Sequence, residues 1–433
     1  MRILYIILFS SLLFVTSCDN DLDQFPENLI SAESLTDLSG VLDAAYFYQL
    51  GTATPMAVMG DFRADNAIML ESPYTAFDIF DADLPVMNDQ FFGPFYTAAY
   101  RSIISANTVI ESSADATQVG EAKFLRALSY FKLVRVFGAT SVNLEPAPDP
   151  TDESILVRQP AMDVYNNVII PDLQDAISAL GNAVDGRASK LAAQSLLGKV
   201  YLQMGDFANA QTNLATAING AAAAGVSLMG DFAAIFTTDL NSEVIFATQV
   251  TSAVTSEYGF SEFVEWYRGG DTKSLQPLDG DLTAAFDASP DDLRRDVTIN
   301  TTDMISPKYP GGDANVEYDW IELRLADVIL MFAEALNETG DTAGALVELN
   351  KIRSRAGLDD SVASGQGDVR QAIADERRLE LAFEGQRWFD LVRTGTVDAE
   401  MGQTIDPNFY LFPIPNSEVS ASFDVITQNP GYN

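Results

Sequence analysis

The sequence predicts a mostly α-helical protein in which tetratricopeptide-like helical repeats form a scaffold for an irregular, loop-rich insert with a few short strands. Three observations support this fold class. Apolar residues recur at helical spacing before about residue 237 and again after about residue 321. Two segments have the spacing of a helical repeat, and the stretch that separates them along the chain lacks any helical period.

The helical pattern begins at Leu35, where apolar residues follow at steps of three and four positions. We expect Pro171 to kink the helix that contains it, because proline lacks the backbone N–H of a helix interior. Beyond the first helix, the predicted helices lie at about 95–111, 119–137, 161–180, 189–204, 207–222, 323–338, 342–355 and 368–393.

Two segments share the spacing of a tetratricopeptide repeat, in which small residues let paired helices approach and large residues fill the groove. Gly205 of the first aligns with Gly340 of the second, so the two are not adjacent repeats. Each pair has an apolar face that it cannot bury alone, and we expect other helices to stack between or beside them. The matching positions are Gly198, Tyr201, Gly205, Phe207, Ala210, Leu214 and Ala217, and then Ala333, Leu336, Gly340, Ala345, Leu349 and Ile352.

Two irregular regions interrupt the helices. In the insert, at about 237–321, the β-branched residues of 242–250 predict a strand, and the remainder mixes aromatic residues, glycine and charge. The second region spans 51–89. Long irregular segments in a compact domain are usually functional or disordered, and the aromatic content argues against disorder. We therefore expect surface loops with a functional role.

The N-terminus predicts a signal peptide over residues 1–17. Arg2 precedes an apolar run, and small residues precede Cys18, the single cysteine of the sequence. This ending resembles the lipobox of bacterial lipoproteins, and the alternative is an ordinary signal peptide that leaves a free thiol. The acidic stretch at 19–23 resembles an export tag for the outer face of the outer membrane, although a solvated tether would look the same. We assign 18–30 to a lipidated acidic tether.

The composition excludes several kinds of site. The chain contains no histidine, so a Ser-His-Asp triad, a Cys-His pair and a histidine metal site are all absent. The formal net charge of −37 disfavours nucleic acid and anionic lipid as partners. The acidic residues at 279–281 and 291–292 are interpreted as solvated loops, and we predict neither a metal nor a cofactor.

The densest charge pattern lies in the predicted C-terminal helix. Glu376, Glu380 and Glu384 are spaced four apart on one helical face, and we expect Arg377, Arg387 and Arg393 to compensate their repulsion. A retaining glycosidase also uses two neighbouring carboxylates, but its acid and nucleophile approach the bond from different sides. Residues on one stripe of one helix point the same way. We therefore interpret this helix as a salt-bridged clamp over the repeats.

Five segments resemble the SusD/RagB family, in the family's order and over most of the chain that would follow the signal peptide. They are EAKFLRALSYFKLVRVFG at 121–138, RLADVILMFAEALN at 324–337, LNKIRSRAGL at 349–358, ERRLELAFEGQRWFDLVR at 376–393, and the C-terminal YLFPIPNSEV followed by ITQNPGYN. The resemblance implies a surface lipoprotein that binds a nutrient, usually a glycan, and forms a lid over a SusC-like TonB-dependent transporter without making or breaking bonds. The motif residues Arg126, Glu376, Glu380, Glu384, Arg387 and Asp390 are read as structural.

Sugar sites combine flat apolar rings with polar groups that bond the hydroxyls. Trp266 is the tryptophan of the irregular insert, beside Tyr267 and Arg268, and is the predicted platform, with loop packing as its alternative. Asp65 and Asn66 match an Asp-Asn pair that is frequent in the family's ligand-side loop, although they could equally cap a turn. The remaining candidates of that loop are Arg63, Tyr74 and Phe77.

We expect one SusD-like domain over 31–433, with a helical scaffold at about 31–236 and 322–394, the ligand-side insert at about 237–321 and a C-terminal tail at 395–433. The predicted location is the outer membrane, facing the exterior, and the predicted ligand is a neutral glycan because the acidic surface disfavours anions. A peptide-binding uptake lipoprotein and a surface glycoside hydrolase are the alternatives.

Overall fold

The computed structural model describes residues 37–149, 151–250, 262–269, 275–310 and 317–432. Contacts separate Met1–Leu38 from Ser39–Asn433, and the architecture below is that of the second unit. The predicted signal peptide, the lipidation at Cys18 and the tether at 18–30 lie outside the described residues.

Helices dominate the described chain, which confirms the predicted fold class. The helices of eight or more residues are α1 (Ser39–Ala57), α2 (Gly93–Ser112), α3 (Ala116–Phe137), α4 (Ile170–Ala179), α5 (Lys190–Gln203), α6 (Phe207–Ala221), α7 (Gly280–Asp287), α8 (Leu325–Glu338), α9 (Thr342–Arg355), α10 (Gln366–Leu381) and α11 (Arg387–Thr394). Within the described ranges, none of the helices has the length and hydropathy that a membrane span requires.

The scaffold is a continuous stack in which each helix from α1 to α6 packs on the next. Helix α6 then packs on α8, which also contacts α9 and α10. The two repeat-like pairs, α5–α6 and α8–α9, are therefore neighbours in space although the insert separates them in sequence. Close approach explains the small residue of the first pair, since a Cβ at Gly198 would lie 2.5 Å from the Leu214 side chain.

Two predicted helices are interrupted. The prediction at 161–180 is divided into Ala161–Val164, a π-helical turn at Tyr165–Ile169 and α4. Pro171 lies in the first turn of α4, where its missing N–H costs little. The prediction at 368–393 divides into α10 and α11, because Phe383 and Gly385 adopt positive φ values of 62° and 67°.

At the break between α10 and α11, the backbone closely contacts the turn that follows α1. A Cβ at Gly60 would lie 2.2 Å from the Gly385 carbonyl oxygen, so both glycines let the two backbones touch. Helix α1 itself extends to Ala57, and the irregular region that was predicted from residue 51 begins at Val58.

Two short antiparallel ladders complete the fold. Strands β1 (Thr140–Ser141) and β2 (Arg158–Gln159) form the first. The second pairs β3 (Val244–Thr248) with β4 (Trp320–Arg324), so that Thr248 lies opposite Trp320. Strand β3 confirms the strand predicted at 242–250. Because β4 continues directly into α8, this ladder joins both ends of the insert to the scaffold.

Candidate functional site

The connection between α1 and α2, residues 58–92, carries most of the predicted ligand contacts and is termed the α1–α2 connection. It consists of four short helical turns, at Val58–Phe62, Tyr74–Phe77, Leu84–Met87 and Asn88–Phe92. The Ile68 N–H donates to the Pro277 carbonyl at 2.9 Å, which ties the connection to the insert.

Asp61 joins three parts of the chain in the interior. Its Oδ2 accepts hydrogen bonds from the Tyr267 hydroxyl and from the Gly385 N–H, both at 2.7 Å. The Asn66 amide donates to Oδ1 at 3.3 Å. Burial raises the pKa of Asp61 to about 6, although these hydrogen bonds favour the charged form. The connection, the insert and the α10–α11 turn are thus held by one carboxyl group.

Asp65 and Asn66 form a second anchor. The Asp65 carboxylate accepts both Nε and Nη2 of Arg387, at 2.7 and 2.8 Å, and lies 3.0 Å from Arg378. Asn66 Oδ1 accepts from Arg378 at 3.2 Å. Burial by itself would raise the pKa of Asp65. The hydrogen bonds and positive charge of Arg387, together with the charge of Arg378, instead hold this pKa below its ordinary value. The polar atoms of this pair therefore bind the C-terminal helices, and Asn66 also lines a cavity beside those helices.

Arg63 is likewise enclosed by protein. It is 0% exposed and donates to the carbonyls of Phe77 at 2.6 Å and Phe409 at 3.2 Å. Its guanidinium lies 4.1 Å from the Phe80 ring centroid and 5.6 Å from that of Trp388. Burial lowers its pKa to about 10. Arg63 therefore fastens the connection to the C-terminal tail instead of facing solvent.

The predicted platform is also buried. Trp266 is 0% exposed and meets the rings of Tyr74, Phe91 and Phe62 at centroid distances of 5.0, 5.3 and 6.3 Å. A ring that stacks on a sugar needs an open face. The structure therefore does not support an exposed platform at Trp266. It supports the alternative, in which the Trp266 ring packs the insert against the rest of the protein.

The neighbours of Trp266 are also occupied by protein. Phe77 and Tyr267 are fully buried. Arg268 is half-buried and donates to the Tyr309 carbonyl at 3.1 Å. Tyr267 joins the insert to the α1–α2 connection through Asp61, whereas Phe77 packs within the connection and Arg268 bonds within the insert.

Tyr74 is the predicted aromatic contact that stays half-exposed. Its ring rests edge-on against Trp266, and its hydroxyl donates to Gln90 Oε1 at 3.3 Å at the surface. A flat ring beside an exposed amide is the combination that sugar recognition uses. Gln90 was not among the residues predicted from the sequence to contact the ligand. The sequence feature that could have indicated it is its position directly before the aromatic residues Phe91 and Phe92.

Asp78 is a further polar residue of the α1–α2 connection. It is half-buried, and its Oδ2 accepts the Met69 N–H at 3.3 Å. Burial raises the pKa of Asp78 to about 7, despite that hydrogen bond and the charge of Arg63.

The C-terminal carboxylates are paired, but with different partners from those predicted. Glu376 pairs with Arg294 at 2.7 Å, and Glu384 pairs with Lys308 at 2.6 Å and Arg324 at 2.7 Å. Glu380 binds Arg294, Arg324 and Arg355. These side chains form the buried ion network. Glu384 lies in the turn after α10, so the prediction of three glutamates on one helical stripe was wrong for this residue.

The arginines predicted to compensate these glutamates bind other carboxylates. Arg377 and Arg393 both bind Asp390, at 2.9 and 2.8 Å. Burial would raise the pKa of Asp390, but these two charges hold that pKa far below its ordinary value. Elsewhere, Arg126 makes a bidentate pair with Asp172, at 2.7 and 2.8 Å.

The arrangement does not provide a carboxylate pair for glycosidic hydrolysis at the C-terminal helices. Glu376, Glu380 and Glu384 are between 0 and 4% exposed, and guanidinium or ammonium groups occupy their oxygens. Across the parts of the chain that the structure describes, no group of three or more Cys, Asp and Glu side chains is arranged to hold a metal ion.

Two family models match the chain. The model described as the SusD family matches residues 300–432, and the model described as starch-binding and associating with the outer membrane matches residues 17–202. A SusD-like protein of Formosa agariphila is 28% identical over 78% of this chain and 80% of its own. A SusD-like protein of Bacteroides ovatus is 25% identical over 90% of this chain and 82% of its own.

Solved structures share the fold over nearly the whole chain. A SusD superfamily protein of Bacteroides thetaiotaomicron superposes with a TM-score of 0.76 at 24% identity, covering 91% of this chain and 99% of that one. A structure described as a laminarin-binding SusD-like protein superposes with a TM-score of 0.72 at 25% identity, covering 92% and 99%.

Proposed function

The chain belongs to the SusD/RagB family, and we propose that it is a cell-surface glycan-binding lipoprotein that acts as the lid of a SusC-like TonB-dependent transporter during nutrient uptake. The observation that carries glycan binding is the similarity, over nearly the full chain, to a laminarin-binding SusD-like protein. The chain binds its ligand without catalysing a reaction at the buried ion network, because the carboxylates of that network are paired with cations.

The glycan contacts the exposed side of the α1–α2 connection, where Tyr74 supplies the ring and Gln90 the amide. The support is their exposure, since Trp266, Phe77 and Arg63 are fully buried. The scaffold favours binding because the anchors at Asp61 and Asp65 hold the connection rigidly, which reduces the entropy lost when a ligand binds. A neutral glycan suits the net charge of −37.

Replacing Tyr74 with alanine tests this surface. We expect the affinity of the purified protein for laminarin, or for whichever neutral polysaccharide binds in a glycan array, to fall about tenfold, the order of one aromatic contact. Titration calorimetry measures the affinity, and Tyr201→Ala, a half-buried tyrosine of α5, is the matched control. Unchanged affinity in Tyr74→Ala would move the glycan away from this surface.

Two further assays separate the other candidate functions. Binding to a peptide pool with no binding on the glycan array would replace the glycan with a peptide as cargo. Shortened products after prolonged incubation with a bound polysaccharide would show hydrolysis, whereas we expect the polysaccharide to be recovered intact.

Anchoring is tested at Cys18. The acyl chains hold the protein at the membrane, and the acidic tether at 18–30 lets the helical body swing over the transporter. We expect Cys18→Ala to lower glycan uptake by cells sharply while glycan binding by the purified soluble domain is unchanged. Normal uptake by a released protein would contradict the lid mechanism, and co-purification with a transporter from solubilised membranes checks the partnership directly.

A further inference from the structure

A cavity of about 310 Å³ is lined by neither Tyr74 nor Gln90, and Asn66 is the residue of the α1–α2 connection that lines it. It opens where the turn between α5 and α6 meets α8, α10 and α11, so it lies between the repeat-like helices and the C-terminal helices. Its volume is at the lower end of the range for small-molecule sites, roughly 300–1,000 Å³. A small ligand, and not a polymer, fits a space of this size.

Five arginines line the cavity, namely Arg370, Arg377, Arg378, Arg387 and Arg393. This concentration of cations is unusual in a chain with 25 lysines and arginines and a net charge of −37. Each arginine is already paired. Arg370 binds Glu338, Arg393 binds Glu334 and Asp390, and Arg387 binds Asp65 and Glu400.

Every arginine of the lining is paired with a carboxylate. Arg378 shares Asp65 with Arg387, and Arg377 binds Asp390 and Asp327, the second of which also pairs with Lys199. The lining itself holds the five arginines and four carboxylates, namely Glu334, Glu338, Asp390 and Glu400, and the pairing is completed behind the lining by Asp65, Asp327 and Lys199. An ionic ligand would disturb this pairing in a low-dielectric space, whereas a neutral polar ligand would not.

Two arginines of the lining keep a nitrogen whose N–H groups can donate to a ligand. Arg378 and Arg387 each use Nε and Nη2 on protein partners, and Nη1 of each makes no hydrogen bond with the residues that the structure describes. Apolar surface comes from Leu202, Ile373 and the half-buried ring of Phe207. Planar charged groups that bond hydroxyls, set beside apolar surface for C–H faces, are the chemistry that recognises a sugar.

We propose that this cavity binds a neutral mono- or disaccharide, as a second site separate from the glycan surface of the α1–α2 connection. The choice of a sugar rests on the proposed function, whereas the preference for a neutral, hydroxyl-rich ligand rests on the ion pairs that already engage every arginine of the lining.

Filling the cavity without removing an ion pair tests the proposal. Ala374 of α10 lines the cavity and is half-buried, so Ala374→Trp blocks the space while every charged partner stays in place. Ala372→Trp, on the same helix but outside the lining, is the matched control. Thermal unfolding shows whether each variant is folded, and Thr394→Phe, at an exposed lining position, replaces Ala374→Trp if that variant does not fold.

The probes are glucose, galactose, mannose and laminaribiose, with glucuronate as the anionic arm, each titrated into the full-length soluble chain. We expect saturable binding of at least one neutral sugar to the wild type and to Ala372→Trp. The blocking variant should weaken it at least tenfold. No binding of any neutral sugar, equal binding by the blocking variant, or a preference for glucuronate would each overturn the proposal.

The outcomes also separate this proposal from the proposed function. Binding of a polysaccharide without binding of these small sugars would reject the cavity site and leave the glycan surface standing. Binding of a small sugar that Ala374→Trp abolishes, in a protein that binds no oligo- or polysaccharide, would keep the cavity site and reject the glycan surface.

Discussion

Replacing Arg324 with methionine is expected to lower the free energy of unfolding by about 3–5 kcal/mol, which is typical of removing one partner from a buried ion pair. Arg324 is 1% exposed and contacts three carboxylates, with Glu380 at 2.6 Å, Glu384 at 2.7 Å and Glu243 at 2.9 Å. Methionine keeps much of the apolar stem, so the effect reports mainly the lost charge.

The physical reason is that Arg324 brings together charges from three parts of the chain. Burial alone would lower its pKa, but Glu384 and Glu380 raise that pKa well above its ordinary value, so the side chain stays charged. Without Arg324, the carboxylates of Glu243, Glu380 and Glu384 would keep part of their desolvation cost with fewer compensating cations. We expect the insert and the C-terminal helices to loosen together.

Chemical denaturation in urea, followed by circular dichroism, measures the loss. The matched control is Arg295→Ala, because Arg295 pairs with the exposed Asp287 and Asp296 at the surface. Exposed pairs contribute little, so the control should lose less than about 1 kcal/mol. A similar small loss for Arg324→Met would mean that the buried ion network does not stabilise the fold.

Replacing Asp65 with alanine is the second large effect, again about 3–5 kcal/mol of unfolding free energy. The buried guanidinium of Arg387 and the half-buried one of Arg378 share this carboxylate, at 2.7 and 3.0 Å. The loss should release the α1–α2 connection from α10 and α11 and weaken glycan binding indirectly. If Asp65 contacted the ligand directly, Asp65→Ala would weaken binding but leave the free energy of unfolding unchanged.

The control for Asp65 is Asp83→Ala, at an exposed aspartate of the same connection. This variant removes one negative charge without uncovering a buried cation, so both unfolding and binding should stay close to the wild type. Limited proteolysis within 58–92 adds a direct readout, since a released connection is cut sooner. Wild-type stability of Asp65→Ala would contradict its anchoring role.

The helical scaffold could be predicted because its signals are local. Apolar spacing placed α2, α3, α5, α6, α8 and α9 nearly at their observed bounds. The repeat pattern likewise explained why Gly198 must be small, since Leu214 of the paired helix lies against it. Each of these features depends on residues within one or two helical turns or on one helix pair.

The interiors of the irregular regions could not be predicted in this way. A tryptophan in a loop-rich stretch looks like an exposed platform, yet Phe62, Tyr74 and Phe91 from a distant segment cover Trp266. Aromatic composition indicates that a segment is ordered, but it does not indicate which rings face solvent. Tyr74 is left half-exposed by the same packing that buries its neighbours.

By itself, the sequence determined the helical architecture, the family and the absence of histidine chemistry, because composition, periodicity and motif order are properties of the chain alone. The tertiary structure decided which charges pair. Glu380 binds Arg294, Arg324 and Arg355 in place of an arginine on its own helix, and Asp65 binds Arg387 across more than 300 residues. Burial makes such pairing obligatory, since a buried charge needs a counter-charge, but the partner is whichever cation the fold brings within reach.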